Sequence, residues 1–247
     1  MSQNQLFTIL DDVESTNNYA MARIHAGLAV HGQAWYARHQ WGGRGQRENN
    51  WISNKDENLI LTIILKPDKV FRNNIFLFNT MIACSCHAFF SALAGKGTSI
   101  KWPNDIYFND RKAGGILIEN VFRGHVWEWA VVGIGININQ INFDSISTKS
   151  TSLKNITDLL FDPLDLARKL QLKILQNFES INDSSQDFYS RYYNTQLFKK
   201  NENVKFKKEN IIFYSTVKEV NNKGQLITFD SMERQFNSGE IQWLLDD

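Results

Sequence analysis

Lys101 to Glu119, KWPNDIYFNDRKAGGILIE, sets a lysine beside a pair of glycines. Two short β-type runs, Ile106-Tyr107-Phe108 and Ile116-Leu117-Ile118, flank Asn109-Asp110, which tolerate turn conformations, so the stretch reads as a β-hairpin. Side chains alternate along a strand, which predicts that Lys112, Gly114, Ile116 and Ile118 share one face. Glycines inside a strand weaken it and mark a bulge or a place where a ligand nears the backbone. Lys112 beside a bare floor of Gly114 and Gly115 suits a small anion. An ordinary hairpin with a glycine bulge and a solvated lysine is the competing reading. Upstream, Pro103 removes a donor and biases Trp102 to an extended backbone, and Asn104 and Asp105 follow as a polar pair.

A second stretch, Gly42-Gly43-Arg44-Gly45-Gln46-Arg47, joins flexible backbone to two guanidinium groups. Backbone N–H groups and arginines together suit phosphate or carboxylate. No Gly-Lys-Ser/Thr closes it as a Walker loop, and Gly133-Ile134-Gly135 lacks the third glycine of a dinucleotide fingerprint. Taken alone, such a loop is more often plain surface. Ser15-Thr16 precede a helical pattern, where a hydroxyl caps the helix and a polar ligand could also dock. Capping alone is the plainer reading of the two.

These residues need elements to hold them. Strand patterns fall at 6–10, 33–39, 58–66, 98–102 and 126–138, the third apolar enough to be buried on both faces. Helical patterns fall at 18–26, 75–94, 163–179 and 184–193, with Asp162 as cap and Pro163 in the first turn of the third. Residues 40–55 form a long polar loop of the kind that carries function, and 140–157 are loop-like. After Thr195 come short strands at 204–206, 211–220, 225–229 and 235–244, a pattern for a small β-barrel. The fold class is α+β: a mixed β-sheet with helices in residues 1–195 and a small barrel in 196–247.

Of 247 residues, 43% are hydrophobic and 21% charged, ordinary for a globular chain. Net charge is +1, which leaves no broad electrostatic footprint for nucleic acid or an anionic membrane. The N-terminus lacks the pattern of a secretory signal, and no run reads as long enough to cross a bilayer, so a cytoplasmic location is expected. Cys84 and Cys86 are two apart on a predicted helix and face opposite sides, a poor arrangement for one shared metal and a common one for buried structural thiols.

Taken in order, Ser15-Thr16-Asn17, Gln40-Trp41-Gly42-Gly43-Arg44-Gly45 ending at Trp51, Lys101-Trp102-Pro103-Asn104-Asp105, Arg111-Lys112-Ala113-Gly114-Gly115-Ile116-Leu117 and Gly133-Ile134-Gly135-Ile136-Asn137 resemble the biotin protein ligases. Asn221 to Gly224 and Ser238-Gly239-Glu240-Ile241 resemble their C-terminal barrel. The resemblance implies a class II synthetase-like catalytic domain with an SH3-like barrel. It implies that ATP activates biotin as biotinyl-AMP, which then acylates one lysine of a biotin carboxyl carrier domain of acetyl-CoA carboxylase or a related carboxylase.

On that resemblance Ser15, Thr16, Asn17 and Gln40 bind the ureido end of biotin. Arg44, Gly45 and Gln46 close over its chain and the phosphate, while Lys112, with Gly114 and Gly115, meets the carboxylate and the α-phosphoryl oxygens. Trp51 packs on adenine, Asn104 reads its edge, and Arg47 and Asn137 help hold the nucleotide. Lys112, Arg44 and Asp105 are the catalytic set, Asp105 orienting the incoming amine. Mg²⁺ is expected on the phosphates, without a dedicated protein metal site. Gln46 stands where many relatives carry a second loop arginine, and Glu48-Asn49-Asn50 replaces a more Gly/Arg-rich run. The chain starts close to the catalytic motifs, so no winged helix, no repressor activity and no nucleic-acid or membrane partner are expected; the protein would be a monomer or homodimer. A lipoate ligase and a non-catalytic biotin sensor are the rivals.

Overall fold

The computed structural model describes residues 6–46, 50–143, 149–182 and 184–245. In chain order the elements are β1 (Phe7–Val13), α1 (Thr16–His25), β2 (Ala34–Gln40), β3 (Asn58–Leu65), α2 (Lys69–Arg72), α3 (Ile75–Ala94), β4 (Thr98–Lys101), β5 (Asp105–Phe108), β6 (Arg111–Arg123), β7 (Val126–Asn137), α4 (Leu153–Thr157), α5 (Pro163–Glu179) and α6 (Ser185–Thr195). A second group follows: β8 (Asn203–Lys208), β9 (Ile211–Val220), β10 (Leu226–Phe229), β11 (Glu233–Phe236) and β12 (Gln242–Leu244). Seven strands form one sheet in the order β1-β2-β3-β7-β6-β5-β4, parallel only between β1 and β2. The other five form an antiparallel sheet, β11-β10-β9-β8-β12.

Every residue of β3 is buried, because the strand lies inside the sheet and both faces are covered. Leu59, Leu61, Ile63 and Leu65 turn toward α3 and α5 in the main core. Ile64 faces the opposite way, packing with Ala20 and Ile24 of α1, Trp35 and Val131. The period of two thus puts Ile60 and Thr62 on the α1 face, where the cleft described below opens.

Twenty residues of α3 begin at Asn74, whose side chain accepts from the Leu77 N–H. Contrary to the expectation that no run could cross a bilayer, this helix is long and apolar enough to span one, although 61% of its apolar window is buried inside the protein. It is the core helix, packed by α5, α6 and the sheet. Cover on all sides is also why Cys84 and Cys86, two apart, are both buried and free. Burial pushes the Cys86 thiol up to about 12 and the Cys84 thiol higher still, with Cys86 adding to the latter.

The hairpin of β5 and β6 is present, with Asn109 at φ 50° in its turn. Its register shifts between Ile106, which faces Gly114, and Tyr107, which faces Lys112, so Ala113 is the extra residue of a bulge. The bulge corrects the simple alternation. Gly114 and Ile116 turn to the core side, whereas Lys112, Gly115 and Leu117 face the cleft.

Three short elements depart from the sequence expectations. The stretch expected as loop at 140–157 contains α4, capped by Ser152 and anchored by fully buried Leu153. A single anchoring leucine leaves no period to read. The four-residue α2 was missed for the same reason. The expected strand at 235–244 is two strands, split where Asn237 and Glu240 bond to each other and Gly239 takes φ 104°.

The second sheet docks on the first through specific bonds. The Trp102 indole N–H donates to Gly224 O at 2.9 Å, and Lys149 Nζ donates to Leu245 O at 2.9 Å. Residues 196–198 run along β4, exchanging bonds with Ile100 and covering that sheet edge.

Candidate active site

A cleft of about 530 Å³ opens on the α1 face of the large sheet. Its floor is β3, β7 and β6; residues 44–46 with Asn50 and Trp51 wall one side, and Ile241, Gln242 and Trp243 of the second sheet close one end. Gly133 and Gly135 of β7 keep the floor low. A Cβ at Gly133 would collide with the Asn17 amide, and one at Gly135 with the Trp51 ring. Only glycine lets those side chains lie on the strand.

At one end lies a buried chain of hydrogen bonds. Ser15 caps α1, its Oγ accepting from the Asn18 N–H at 3.3 Å. Gln40 Oε1 accepts from the Thr16 N–H at 2.9 Å and from its hydroxyl at 3.1 Å. Thr62 Oγ1 lies 2.7 Å from Asn17 Oδ1 and 2.8 Å from Thr16 Oγ1, so its one proton serves one of them at a time. Asn17 Nδ2 donates to Glu119 Oε2 at 2.8 Å and, more weakly, to Leu117 O at 3.4 Å. Such a prearranged set of amides and hydroxyls presents both donors and acceptors to a polar heterocycle.

At the other end Lys112 Nζ sits 2.7 Å from Asp105 Oδ1 and 5.9 Å from the Trp51 ring centroid. The Cβ position of Gly115 is 3.3 Å from both the ammonium and that carboxylate. Lys112 is also fixed through its backbone: its N–H donates to Lys149 O at 2.7 Å, and its carbonyl accepts from Thr151 at 2.9 Å. Asn137 braces the same segment, Nδ2 donating to Thr151 O at 2.9 Å. Asn104 Nδ2 donates to Ile116 O at 2.5 Å, holding the turn that aims Asp105. Tyr193 of α6 donates to Pro103 O at 3.1 Å from below. Buried Tyr193 and Tyr107 have phenols pushed up chiefly by burial, so they stay neutral donors.

Between the two ends, Arg44 Nη2 donates to Asn18 Oδ1 at 2.5 Å and to Glu119 Oε1 at 3.2 Å. About half its side chain is exposed, so this ion pair is worth little in stability, on the order of 0–1 kcal/mol. It nonetheless fixes the guanidinium beside Glu119, whose other oxygen accepts from Asn17.

Most of the expected residues therefore meet in one place. Ser15, Thr16, Asn17 and Gln40 line one end; Asn104, Asp105, Lys112 and Gly115 line the other; Arg44, Gly45, Gln46 and Trp51 lie on the loop between. Gly114 and Asn137 do not line the cleft: the first turns toward Gly135 and Ile136, the second toward Thr151. Arg47 lies outside the described residues. Sequence reasoning missed Glu119, Thr62 and Lys101, and missed the part of Gly133 and Gly135 as floor. Alternation counted back from Glu119 through Leu117 to Gly115 would have found the first, once the bulge was placed.

Comparison with known proteins sharpens this geometry. The model of the Biotin/lipoate A/B protein ligase family matches residues 10–137. The chain belongs to this family. Among ligase-family relatives, the bifunctional ligase/repressor BirA of Escherichia coli is 33% identical over 130 residues, covering 53% of this chain and 40% of that one. The biotin--[acetyl-CoA-carboxylase] ligase of Paracoccus denitrificans is 32% identical over 142 residues, 53% of each chain. The chain thus matches about half, or less, of the length of these relatives. Among solved structures, the biotin protein ligase from Aquifex aeolicus in complex with biotin and ATP superposes with a TM-score of 0.80 at 25% identity, covering 97% of this chain and 99% of that one. The mixed sheet with helices is the biotin-ligase catalytic fold, and the second antiparallel sheet is compatible with an SH3-like domain.

Proposed function

We propose that the chain is an ATP-dependent biotin protein ligase. In this reading it joins the biotin carboxylate to AMP with release of pyrophosphate, then passes the biotinyl group to a lysine of a biotin carboxyl carrier domain. The observation that carries the reading is one continuous cleft linking a heterocycle-binding end, Thr16, Asn17 and Gln40, to a cation–carboxylate pair, Lys112 and Asp105, over a glycine floor. The relatives named as biotin--[acetyl-CoA-carboxylase] ligases and the Aquifex complex with biotin and ATP support it.

A carboxylate is a poor acyl donor, and making it a mixed anhydride with AMP supplies a leaving group. Lys112 stands where negative charge gathers as the carboxylate approaches the α-phosphate. A preorganised cation of this kind is worth about 3–4 kcal/mol in the transition state. Arg44, on the loop, adds a second cation and with Gly45 and Gln46 covers the intermediate from water. Trp51 offers a flat face for adenine, beside Asn104. In the second step the acceptor amine approaches the acyl carbon, and Asp105 orients it. Among the described residues no three His, Cys, Asp or Glu side chains converge as a metal site. In this reading magnesium accompanies the nucleotide phosphates.

The family includes lipoate ligases, so the acid has to be tested directly. The protein is incubated with ATP and either biotin or lipoate, and pyrophosphate is measured. Release with biotin, followed by streptavidin-detected labelling of a carrier domain, is expected. Release with lipoate alone ends the biotin assignment, and binding of biotin without pyrophosphate release makes the protein a sensor.

A further inference from the structure

Lys101 has no role in the mechanism above, yet its side chain lines the cleft. It ends β4, and its ammonium lies between two aromatic rings, 5.0 Å from the Tyr107 centroid and 5.7 Å from that of Trp243 in the second sheet. No carboxylate pairs with it within salt-bridge distance among the described residues. Asp105 faces Lys101 across the β4–β5 ladder, but its Oδ1 is already bound to Lys112 at 2.7 Å. Two lysines share one acid, and Arg44 is matched by Glu119. The surplus charge of the cleft therefore sits at Lys101.

A half-buried ammonium with no ion-pair partner is costly to keep, and ring faces repay it only partly. Burial lowers its pKa, Asp105 opposes that, and Lys112 adds to it. The group is thus ready to gain from an incoming anion. A cationic acceptor lysine is repelled there. The acid's carboxylate and the α-phosphate are both engaged at Lys112. One anion of the proposed reaction is left over.

We propose that Lys101 binds the pyrophosphate leaving group, holding the β- and γ-phosphoryl oxygens of ATP against the Trp243 wall. This rests on the ligase reading. When a carboxylate oxygen forms its bond to the α-phosphorus, the bond to the α,β-bridging oxygen breaks. That oxygen departs on pyrophosphate with the electron pair, and no proton moves. Neighbouring strands are roughly 5 Å apart, so Lys101 lies beyond Asp105 on the side away from the Gly115 floor, and the proposal takes the departing group out on that side. The lysine touches the leaving group and nothing else that reacts, so it serves adenylate formation and its reversal but not transfer from adenylate already made.

The test uses the full chain as wild type, Lys101→Met and Lys101→Arg. Pyrophosphate–ATP exchange, inhibition by pyrophosphate, and transfer from added biotinyl-AMP to a carrier domain are measured. Losing a charged hydrogen bond predicts that Lys101→Met raises the KM for ATP and weakens pyrophosphate inhibition by about tenfold to a hundredfold. The KM for biotin and the transfer rate from added biotinyl-AMP stay near wild type, and Lys101→Arg recovers most of the exchange. Removing a half-buried charge that has no ion-pair partner should leave the melting temperature unchanged or higher; should Lys101→Met fail to fold, Lys101→Gln carries the same measurements. An active wild type with unchanged pyrophosphate inhibition in the neutral variant overturns the proposal. A wild type with no exchange for either acid sinks the ligase reading instead, so the two failures are told apart.

Discussion

Lys112 is held from three sides: by Asp105, by the Lys149 carbonyl and by the Thr151 N–H. Lys112→Ala removes only the side chain and leaves both backbone bonds, so the fold should survive. Adenylation in a single turnover should fall by roughly 10²–10³; an unchanged rate sinks the role given to the ammonium. The floor glycines make a finer test. A methyl at Gly115 meets only the tips of Lys112 and Asp105 at 3.3 Å, which can move. A methyl at Gly133 strikes the Asn17 amide, which Thr62 and Glu119 already hold. Calorimetry should therefore show biotin binding lost by tenfold or more in Gly133→Ala, about the cost of one broken buried hydrogen bond, and far less in Gly115→Ala. At this scale the sequence was readable for residues close together along the chain, such as Lys112 and Asp105. It was silent on Thr62, Glu119 and Lys101, because their place depends on which strands become neighbours.

Among the elements, α3, β3 and α5 were legible because each has a long period and clear ends. The bulge at Ala113 was not, since its position follows from pairing with β5 and not from local composition. In the loop between β2 and β3, Trp51 N–H closes back on Gly43 O, while Gly42 N–H to Glu14 O and Arg44 tie it to the body. Biotin with ATP should protect it from trypsin at Arg44 more than biotin alone; equal cleavage contradicts closure over the nucleotide. His87 joins three elements, with Nδ1 2.9 Å from the Tyr192 hydroxyl on α6 and Nε2 3.2 Å from Thr98 O on β4. Burial lowers its pKa below 6.5, against a smaller opposing pull from the Thr98 carbonyl. The unfolded chain then binds the proton first, so stability falls as pH drops through 6.5 and levels off only below the folded value. His31 is shifted the same way, chiefly by burial, with Glu179 opposing. Urea unfolding at pH 7 and pH 5.5 should show this loss, and a smaller one in His87→Gln.

Over the whole molecule, the two-sheet architecture was readable from the change of texture after Thr195, but the seam between the sheets was not. Trp102 reaching Gly224, and Trp243 reaching Lys101, join residues far apart in sequence. Lys149 is the link that also reaches the backbone of Lys112. Its carbonyl holds the Lys112 N–H while its ammonium holds Leu245 O. Lys149→Met should slow adenylation severalfold, less than Lys112→Ala, with little change in melting temperature; a rate equal to wild type removes the link. One amino acid thus joins the segment just after β12 to the backbone of Lys112. A slower rate in Lys149→Met would mean that contacts on the distal sheet reach the chemistry through this residue without entering the cleft.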